Sequence, residues 1–274
     1  MALADPCRGA GGRRARVSDR QIHPAAGRGF EAAVEHYERG RPSYPDDAVT
    51  YLVNELGIRE GTDVVDLGAG TGKFTELIVL TGANITALEP VASMRAALER
   101  NCPTIRTFDG TAESIPVEDG SFDAAIAASA FHWFDGERAL PEIHRVLRPG
   151  SALGLIWNAR DESSDWSERL TEIFDELAGP DQPRYRSGRW REAFERTSLF
   201  GPLHHRVAYH VHHVTPSAFL DRVLSVSYVA AASEAQRERV RTEVAELLSN
   251  DPELRDRDEI VMPYRTDVFW TRRR

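Results

Sequence analysis

The sequence predicts an α/β fold: a doubly wound, mostly parallel sheet of seven strands with helices on both faces. Three observations carry this. Short apolar runs alternate with amphipathic helical patterns from Phe30 to Trp157, the rhythm of βαβ units. The first run, Val64-Val65-Asp66-Leu67, empties into a glycine-rich turn, Gly68-Ala69-Gly70-Thr71-Gly72. A carboxylate, Glu89, then closes the second run 21 residues after Gly68.

The elements follow in order. Val49, Leu52, Val53 and Leu56 share one helical face, opened by Asp46 and stopped by Gly57. Residues 64–67 read as a buried strand. Phe74, Leu77 and Ile78 begin a helix that ends near Gly82, and Ile85 to Glu89 is the second strand. Val91, Met94 and Leu98 mark the next helix, and Ile105 to Phe108 a short third strand. Phe122 to Ser129 is the fourth strand. Leu140, Ile143, Val146 and Leu147 give a helix closed by Pro149-Gly150, and Ser151 to Trp157 is the fifth strand. Right-handed crossovers restrict such a chain to doubly wound topologies.

Beyond Trp157 the rhythm changes. Trp166, Leu170, Ile173, Phe174 and Leu177 share a helical face, and 179–189 is loop-like. Leu203 to Val214 alternates as a half-buried strand. Helices follow at 216–230 and 233–249, the second opened by a capping box of Ser233 and Gln236. Ile260 to Trp270 is the last strand. Residues 29–274 therefore form one domain, with a helical cap inserted at about 160–200, and residues 1–28, rich in Ala, Gly and Arg, form a disordered tail. The arginines 272–274 read as a solvated end.

Bulk properties narrow the function. The 274 residues carry a net charge of −9, which disfavours a phosphate backbone as partner. Two distant cysteines, Cys7 and Cys102, make neither a disulfide framework nor a zinc site, so a reduced, cytoplasmic setting is expected. No apolar run approaches the roughly 18 residues that span a bilayer. The expected partner is a small molecule, without nucleic acid or membrane.

The glycine turn carries the chemistry. Glycines at a strand-to-helix turn admit unusual dihedrals and let a ligand approach the backbone. A carboxylate at the end of the next strand takes the hydroxyls of a ribose. A dinucleotide site needs G-x-G-x-x-G, but Lys73 holds the sixth position, and the pattern is G-x-G-x-G. Asp66, before the glycines, suits a cationic amino-acid moiety better than a phosphate. S-adenosylmethionine, with no phosphate and a sulfonium, fits better than NAD.

Four segments, VVDLGAGTG, DGTAESIP at 109–116, SFDAAIAASAFHWF at 121–134 and IHRVLRPG at 143–150, with Glu89 after the first, stand in the order of class I S-adenosylmethionine-dependent methyltransferases and resemble them. The nearest resemblance is to the small-molecule branch that includes trans-aconitate and ubiquinone/menaquinone methyltransferases. It is strong from about Phe30 to Trp157 and loose afterwards, although YRTDVFW at 264–270 resembles the family's final strand. It implies a Rossmann-like sheet and a methyl acceptor that is a small molecule, methylated at oxygen or at a carboxylate. It further implies that Gly68, Gly70 and Gly72 shape the cofactor turn and that Asp66 lies near the methionine end. Glu89 would hold the ribose and Pro90 would face the adenine. Thr111 and Ala112 would meet the adenine edge, where many relatives carry Asp in place of Thr111. Tyr37, Arg41 and Tyr44 match a segment that folds over the cofactor, with Arg41 on the methionine carboxylate.

His132 follows the fourth strand at the carboxyl edge of the sheet and is the candidate general base, with Phe131, Trp133 and Trp157 walling the acceptor pocket. The [D/N]PPY motif of nucleic-acid amino-methyltransferases is absent there. His204, His205, His210, His212 and His213 read as a half-buried strand, because Arg206 shares their neighbourhood and no Cys or carboxylate joins them. Two further readings stand beside the enzyme: a cofactor-binding, non-catalytic partner subunit, and an NAD-type oxidoreductase disfavoured by Lys73.

Overall fold

The computed structural model describes residues 34–177 and 183–274; the expected tail at 1–28 and part of the expected 179–189 loop lie outside them. The sheet has seven strands in the order β3-β2-β1-β4-β5-β7-β6. They span Asp63–Leu67 (β1), Asn84–Leu88 (β2), Arg106–Phe108 (β3), Phe122–Ala128 (β4), Leu147–Arg160 (β5), His204–Val214 (β6) and Ile260–Arg272 (β7). The first five are parallel. β7 enters antiparallel between β5 and β6. This is a Rossmann-like, doubly wound sheet with one antiparallel strand inserted near its edge.

Alternation along the strands sends neighbours to opposite faces. Val65, Ala125, Ala127 and Leu155 pack on one face beneath Leu140, Ile143 and Val146. Those three come from helix α5 (Gly136–Val146), which follows α1 (Val34–Gly40), α2 (Asp46–Leu56), α3 (Thr75–Val79) and α4 (Ala92–Asn101). Val64, Ala124, Ile126 and Ile156 pack on the other face with Leu52 and Leu56 of α2 and Ile78 of α3. Both faces are dry, which is why β1 and β4 read as continuous apolar runs.

The chain winds from β1 outward to β3, then returns across β1 to β4 and β5. Its direction therefore reverses between β1 and β4, and a crevice opens beyond their carboxyl ends. The loops after these two strands, beginning at Gly68 and Ser129, face each other there.

Several boundaries differ from the sequence reading. Pro45, not Asp46, occupies the N-cap of α2, and Asp46 is the first helical residue. β5 begins at Leu147, so Pro149-Gly150 lies within the strand rather than closing a helix. The expected helix at 216–230 is broken at Ser225-Val226 into α8 (Pro216–Leu224) and α9 (Ser227–Ala230). At 272–274 Arg272 and Arg274 are exposed, as read, but the chain itself is tied to the sheet. Arg272 closes β7, the Arg273 guanidinium donates to the Leu147 carbonyl, and the Arg274 amide donates to the Leu199 carbonyl. The capping box forms as read, with both its bonds, and opens α10 (Glu234–Asn250).

The helical cap is larger than the 160–200 segment. Helix α6 (Asp165–Leu177) buries Trp166, Leu170, Ile173 and Phe174 against Phe219 and Val223 of α8 and Val240 and Val244 of α10. The segment between β6 and β7 thus supplies half of this cluster. A short helix, α7 (Glu192–Arg196), completes the set.

Helix α1 docks on α8. Asp221 accepts from Arg39 Nε at 2.9 Å and contacts His36 Nδ1 at 2.6 Å. At the end of α1, Gly40 lies so close that a Cβ there would stand 2.4 Å from the Arg222 nitrogen and 2.5 Å from its Cα. Both are backbone atoms and cannot swing aside. Gly40→Ala is expected to destabilise the protein by about 1–3 kcal/mol, measurable by urea denaturation, because α1 must leave α8 to admit one methyl group. An unchanged midpoint would mean that this approach is not a constraint.

Candidate active site

The glycine turn takes its shape from hydrogen bonds to the neighbouring strand. The Leu88 carbonyl accepts from the amides of Gly68 (2.8 Å) and Ala69 (3.0 Å). Gly68, Gly70 and Gly72 all adopt positive φ, at 69°, 61° and 93°. At Gly68 a Cβ would also lie 2.9 Å from the Ala130 Cβ, and at Gly72 one would lie 2.8 Å from Leu98 Cδ1. At Gly70 the nearest atom is the Tyr37 hydroxyl at 4.0 Å, so the space there is open. The three glycines thus divide their work: Gly68 and Gly72 admit close packing, and Gly70 leaves room for a ligand.

Glu89 clasps this turn. Its Oε2 accepts from the Gly70 amide and its Oε1 from the Val91 amide, each at 2.8 Å. Each oxygen keeps lone pairs for a hydroxyl donor. Burial pushes the carboxyl up to about 7, opposed by the two backbone bonds. Asp66 lies deeper and is fully buried. Its Oδ2 accepts from Thr75 Oγ1 at 2.7 Å, its Oδ1 has no partner, and burial raises it to about 6.

A cleft opens over the turn. Gly68, Gly70, Glu89, Pro90, Thr111 and Ala112 line it, together with Tyr37, Tyr44 and Trp133. Gly72 and Asp66 do not reach its surface. Gly72 packs against Leu98 and Cys102 of α4, and Asp66 sits beneath the turn.

A second cavity adjoins the first and lies under the cap. Tyr37, Ser129 and Trp133 line both and form the junction. Trp157 walls the second cavity and stacks on Tyr185, with ring centroids 4.7 Å apart. Ser129, at φ 53°, is a non-glycine residue held in the left-handed region at this junction. Its hydroxyl meets the Tyr44 hydroxyl at 2.9 Å.

Two expectations need correction, and the place of Arg41 is refined. Phe131 is core, not pocket wall. It is 1% exposed and packs on Phe134, Trp190 and Phe194. Arg41 lines the second cavity and the narrow crevice joining it to the turn, not the cleft beside Glu89. His132 reaches the second cavity but is not set up as a base. The Trp157 indole N–H, which can only donate, points to His132 Nδ1 at 3.1 Å. Neutral imidazole then carries its proton on Nε2, which is a donor. Burial, reinforced by the Arg41 charge, lowers this histidine to about 3.

Sequence reading missed Arg160, Arg222 and Tyr228, which line the second cavity. Arg160 ends a buried strand, and Arg222 lies between Phe219 and Val223 on the apolar face of α8. A charge in either place was a readable signal. The β6 histidines pack across to β7. His204 stacks on Trp270 and His205 on Phe269, each at 4.1 Å, and His205 Nε2 meets the buried Asp267 at 2.7 Å.

A crevice at the switch point, a glycine turn and a strand-end carboxylate define an enzyme of the nucleoside-cofactor α/β class. Residues 65–155 match the family described as a methyltransferase domain. An uncharacterized methyltransferase of Mycobacterium bovis is 38% identical over 241 residues, covering 86% of this chain and 92% of that one. An Anaeromyxobacter dehalogenans protein provisionally named a type II methyltransferase superimposes with a TM-score of 0.62 at 23% identity, over 85% of this chain and 97% of that one. Phosphoethanolamine N-methyltransferase 2 of Haemonchus contortus, solved with S-adenosylhomocysteine, superimposes with a TM-score of 0.51 at 14% identity, over 89% and 57%. This chain belongs to the methyltransferase family and is an S-adenosylmethionine-dependent methyltransferase. Among the described residues, no helix is long and apolar enough to cross a membrane.

Two titrations test the site. Glu89 holds its proton up to about 7 when folded, against 4.5 when exposed. Between these values the folded chain is protonated where the unfolded chain is not, so Glu89 lowers stability as pH rises through this window. Glu89→Gln removes that penalty. Relative to the native protein, the variant should gain about 2–3 kcal/mol in urea denaturation between pH 5 and pH 8. A difference that does not vary with pH would place Glu89 in water. For His132, long-range nitrogen–proton NMR should report a neutral ring with Nε2–H down to pH 5. Titration near 6.5 would return it to the range of a general base.

Proposed function

We propose that the enzyme transfers a methyl group from S-adenosylmethionine to an anionic oxygen, a carboxylate, of a small-molecule acceptor. One observation carries the choice of acceptor. The described lining of the second cavity contains no carboxylate, and its histidine and tyrosines are poor proton acceptors at neutral pH. His132 is lowered, while burial raises Tyr185 and Tyr228 above their ordinary values. An acceptor that must lose a proton would find no base there, whereas a carboxylate arrives already ionised.

The residues over the turn fit the cofactor. Glu89 offers two oxygens for two ribose hydroxyls, Gly70 leaves the backbone open, and the buried Asp66 Oδ1 has no protein partner. The Haemonchus relative, whose fold this chain shares, was solved with the demethylated form of this cofactor. Pro90, Thr111 and Ala112 would flank the adenine, and Asp66 would favour the cationic methionine end. Arg41, in the crevice between turn and cap, would hold the methionine carboxylate.

When bound, the cofactor supplies a methyl carbon already activated by its sulfonium, whose bond to sulfur breaks as the bond to oxygen forms. What the protein adds is alignment, which can contribute about 7–11 kcal/mol without proton transfer. Tyr37, Ser129 and Trp133 frame the junction through which the two reactants meet. His132, which lines the same cavity, would offer its Nε2–H as a donor to orient the acceptor. The acceptor's carboxylate ends as a neutral ester, and the cofactor's sulfur as a neutral thioether. The resemblance to trans-aconitate and ubiquinone/menaquinone enzymes agrees with a small-molecule acceptor.

Calorimetric titration with S-adenosylhomocysteine, with NAD⁺ in parallel, tests the cofactor half. Micromolar binding of the former alone is expected, weakened at least roughly tenfold in Glu89→Ala and in Arg41→Ala, about 1.4 kcal/mol each. Affinity unchanged by Arg41→Ala would remove that residue from the methionine carboxylate. No binding to the folded native protein would overturn the cofactor assignment.

A further inference from the structure

The cavity under the cap is lined by five arginines, and they differ in their partners. Arg184 pairs with Asp175 at 2.6 Å, and Arg186 pairs with Glu162 through both its Nη atoms. The other three, Arg41, Arg160 and Arg222, have no carboxylate within ion-pair distance among the described residues. Each is held by neutral groups. Arg41 Nη2 donates to the Ser225 carbonyl at 3.3 Å, Arg160 Nη2 to Thr171 Oγ1 at 2.9 Å, and Arg222 Nε to the Tyr264 hydroxyl at 3.0 Å. The Arg160 guanidinium lies over the Phe174 ring, 4.5 Å from its centroid.

These anchors aim the cations without neutralising them. Arg41 Nε, Arg160 Nε and Arg222 Nη1 are buried donors with no hydrogen-bond partner, and Arg222 is only 7% exposed. Burial and the charge of Arg222 depress both Arg41 and Arg160. Arg160 comes down to about 10, still a cation at neutral pH. Three separate elements deliver the group: the segment after α1, the end of β5 and α8. Clustering unpaired cations inside a fold is unfavourable unless an anion joins them. A planar guanidinium fork matches the oxygens of a carboxylate or a phosphate.

We propose that Arg160 and Arg222 form a subsite for an anionic group of the acceptor, a carboxylate or phosphate separate from the oxygen that receives the methyl. This rests on the proposed methyl transfer for its place in the reaction, but the anion site is testable without it. The anion anchors one end of the acceptor under the cap and leaves the other end toward Tyr37, Ser129 and Trp133. Arg160 and Arg222 are then residues that select acceptors, and neither lines the cleft over the glycine turn.

The test titrates the full-length protein with inorganic phosphate and, separately, with malonate, at constant ionic strength in chloride. Each titration is run with and without S-adenosylhomocysteine. Saturable binding of at least one anion is expected, weakened tenfold or more by Arg160→Gln and by Arg222→Gln, with S-adenosylhomocysteine affinity within twofold of native. Malonate alone would assign a carboxylate handle, and phosphate alone a phosphate handle. Binding of neither, or binding that Arg160→Gln leaves unchanged, overturns the proposal. If Arg222→Gln fails to fold, Arg160→Gln, at a strand end, decides by itself. Loss of S-adenosylhomocysteine binding in the native protein would sink the cofactor assignment, while the anion titration would still read the subsite.

Discussion

The bond pattern of one carboxylate organises this molecule. Glu89 ends β2 and grips the loop after β1 through the Gly70 amide and its own loop through the Val91 amide. The adjoining Leu88 carbonyl holds Gly68 and Ala69. Two parallel strands could otherwise diverge beyond their last ladder bond. Here they are tied where the crevice opens, and the tie leaves half of each carboxylate oxygen unused. A buried acid near its titration point is a costly clasp. It is tolerable because backbone donors meet both oxygens, and ribose hydroxyls would add donors without adding charge.

Across the junction the electrostatics reverse. The turn side presents Glu89, with Asp66 buried beneath it, and the cap side presents Arg41, Arg160 and Arg222. A cationic sulfonium and an anionic acceptor would each be drawn to the opposite sign, so the two reactants are sorted before they meet. His132 fits this division as a neutral donor. A charged imidazole beside Arg41 would add a fourth cation to a buried cluster, and its depressed pKa expresses that cost.

The sheet, the turn and the strand-end acid were legible because they rest on local rules. Short apolar runs and helical patterns place β1 to β5, and positive φ explains why glycine stands at 68, 70 and 72. The acceptor side was less legible because it depends on which residues the fold brings together. Phe131 and Trp133 are near neighbours in sequence, yet the 3₁₀ turn at Phe131–Trp133 sends one into the core and the other to the junction. Arg160 and Arg222 stand 62 positions apart in sequence and meet only where the end of β5 and α8 line the same cavity. The histidine at 132 looked like a base from its position alone. Only the indole of Trp157, 25 residues away, decides which of its nitrogens holds the proton.

The approach of Gly40 to the backbone of α8 carries one more consequence. The same contact that seats Arg41 and Tyr37 over the turn also seats Arg222 over the cap cavity, because Gly40 touches Arg222 itself. Neither wall can relax alone. The two compartments therefore share one wall, and any coupling between their ligands is reciprocal. Whatever affinity an occupied turn lends to the cap cavity, an occupied cap cavity must lend back in equal measure.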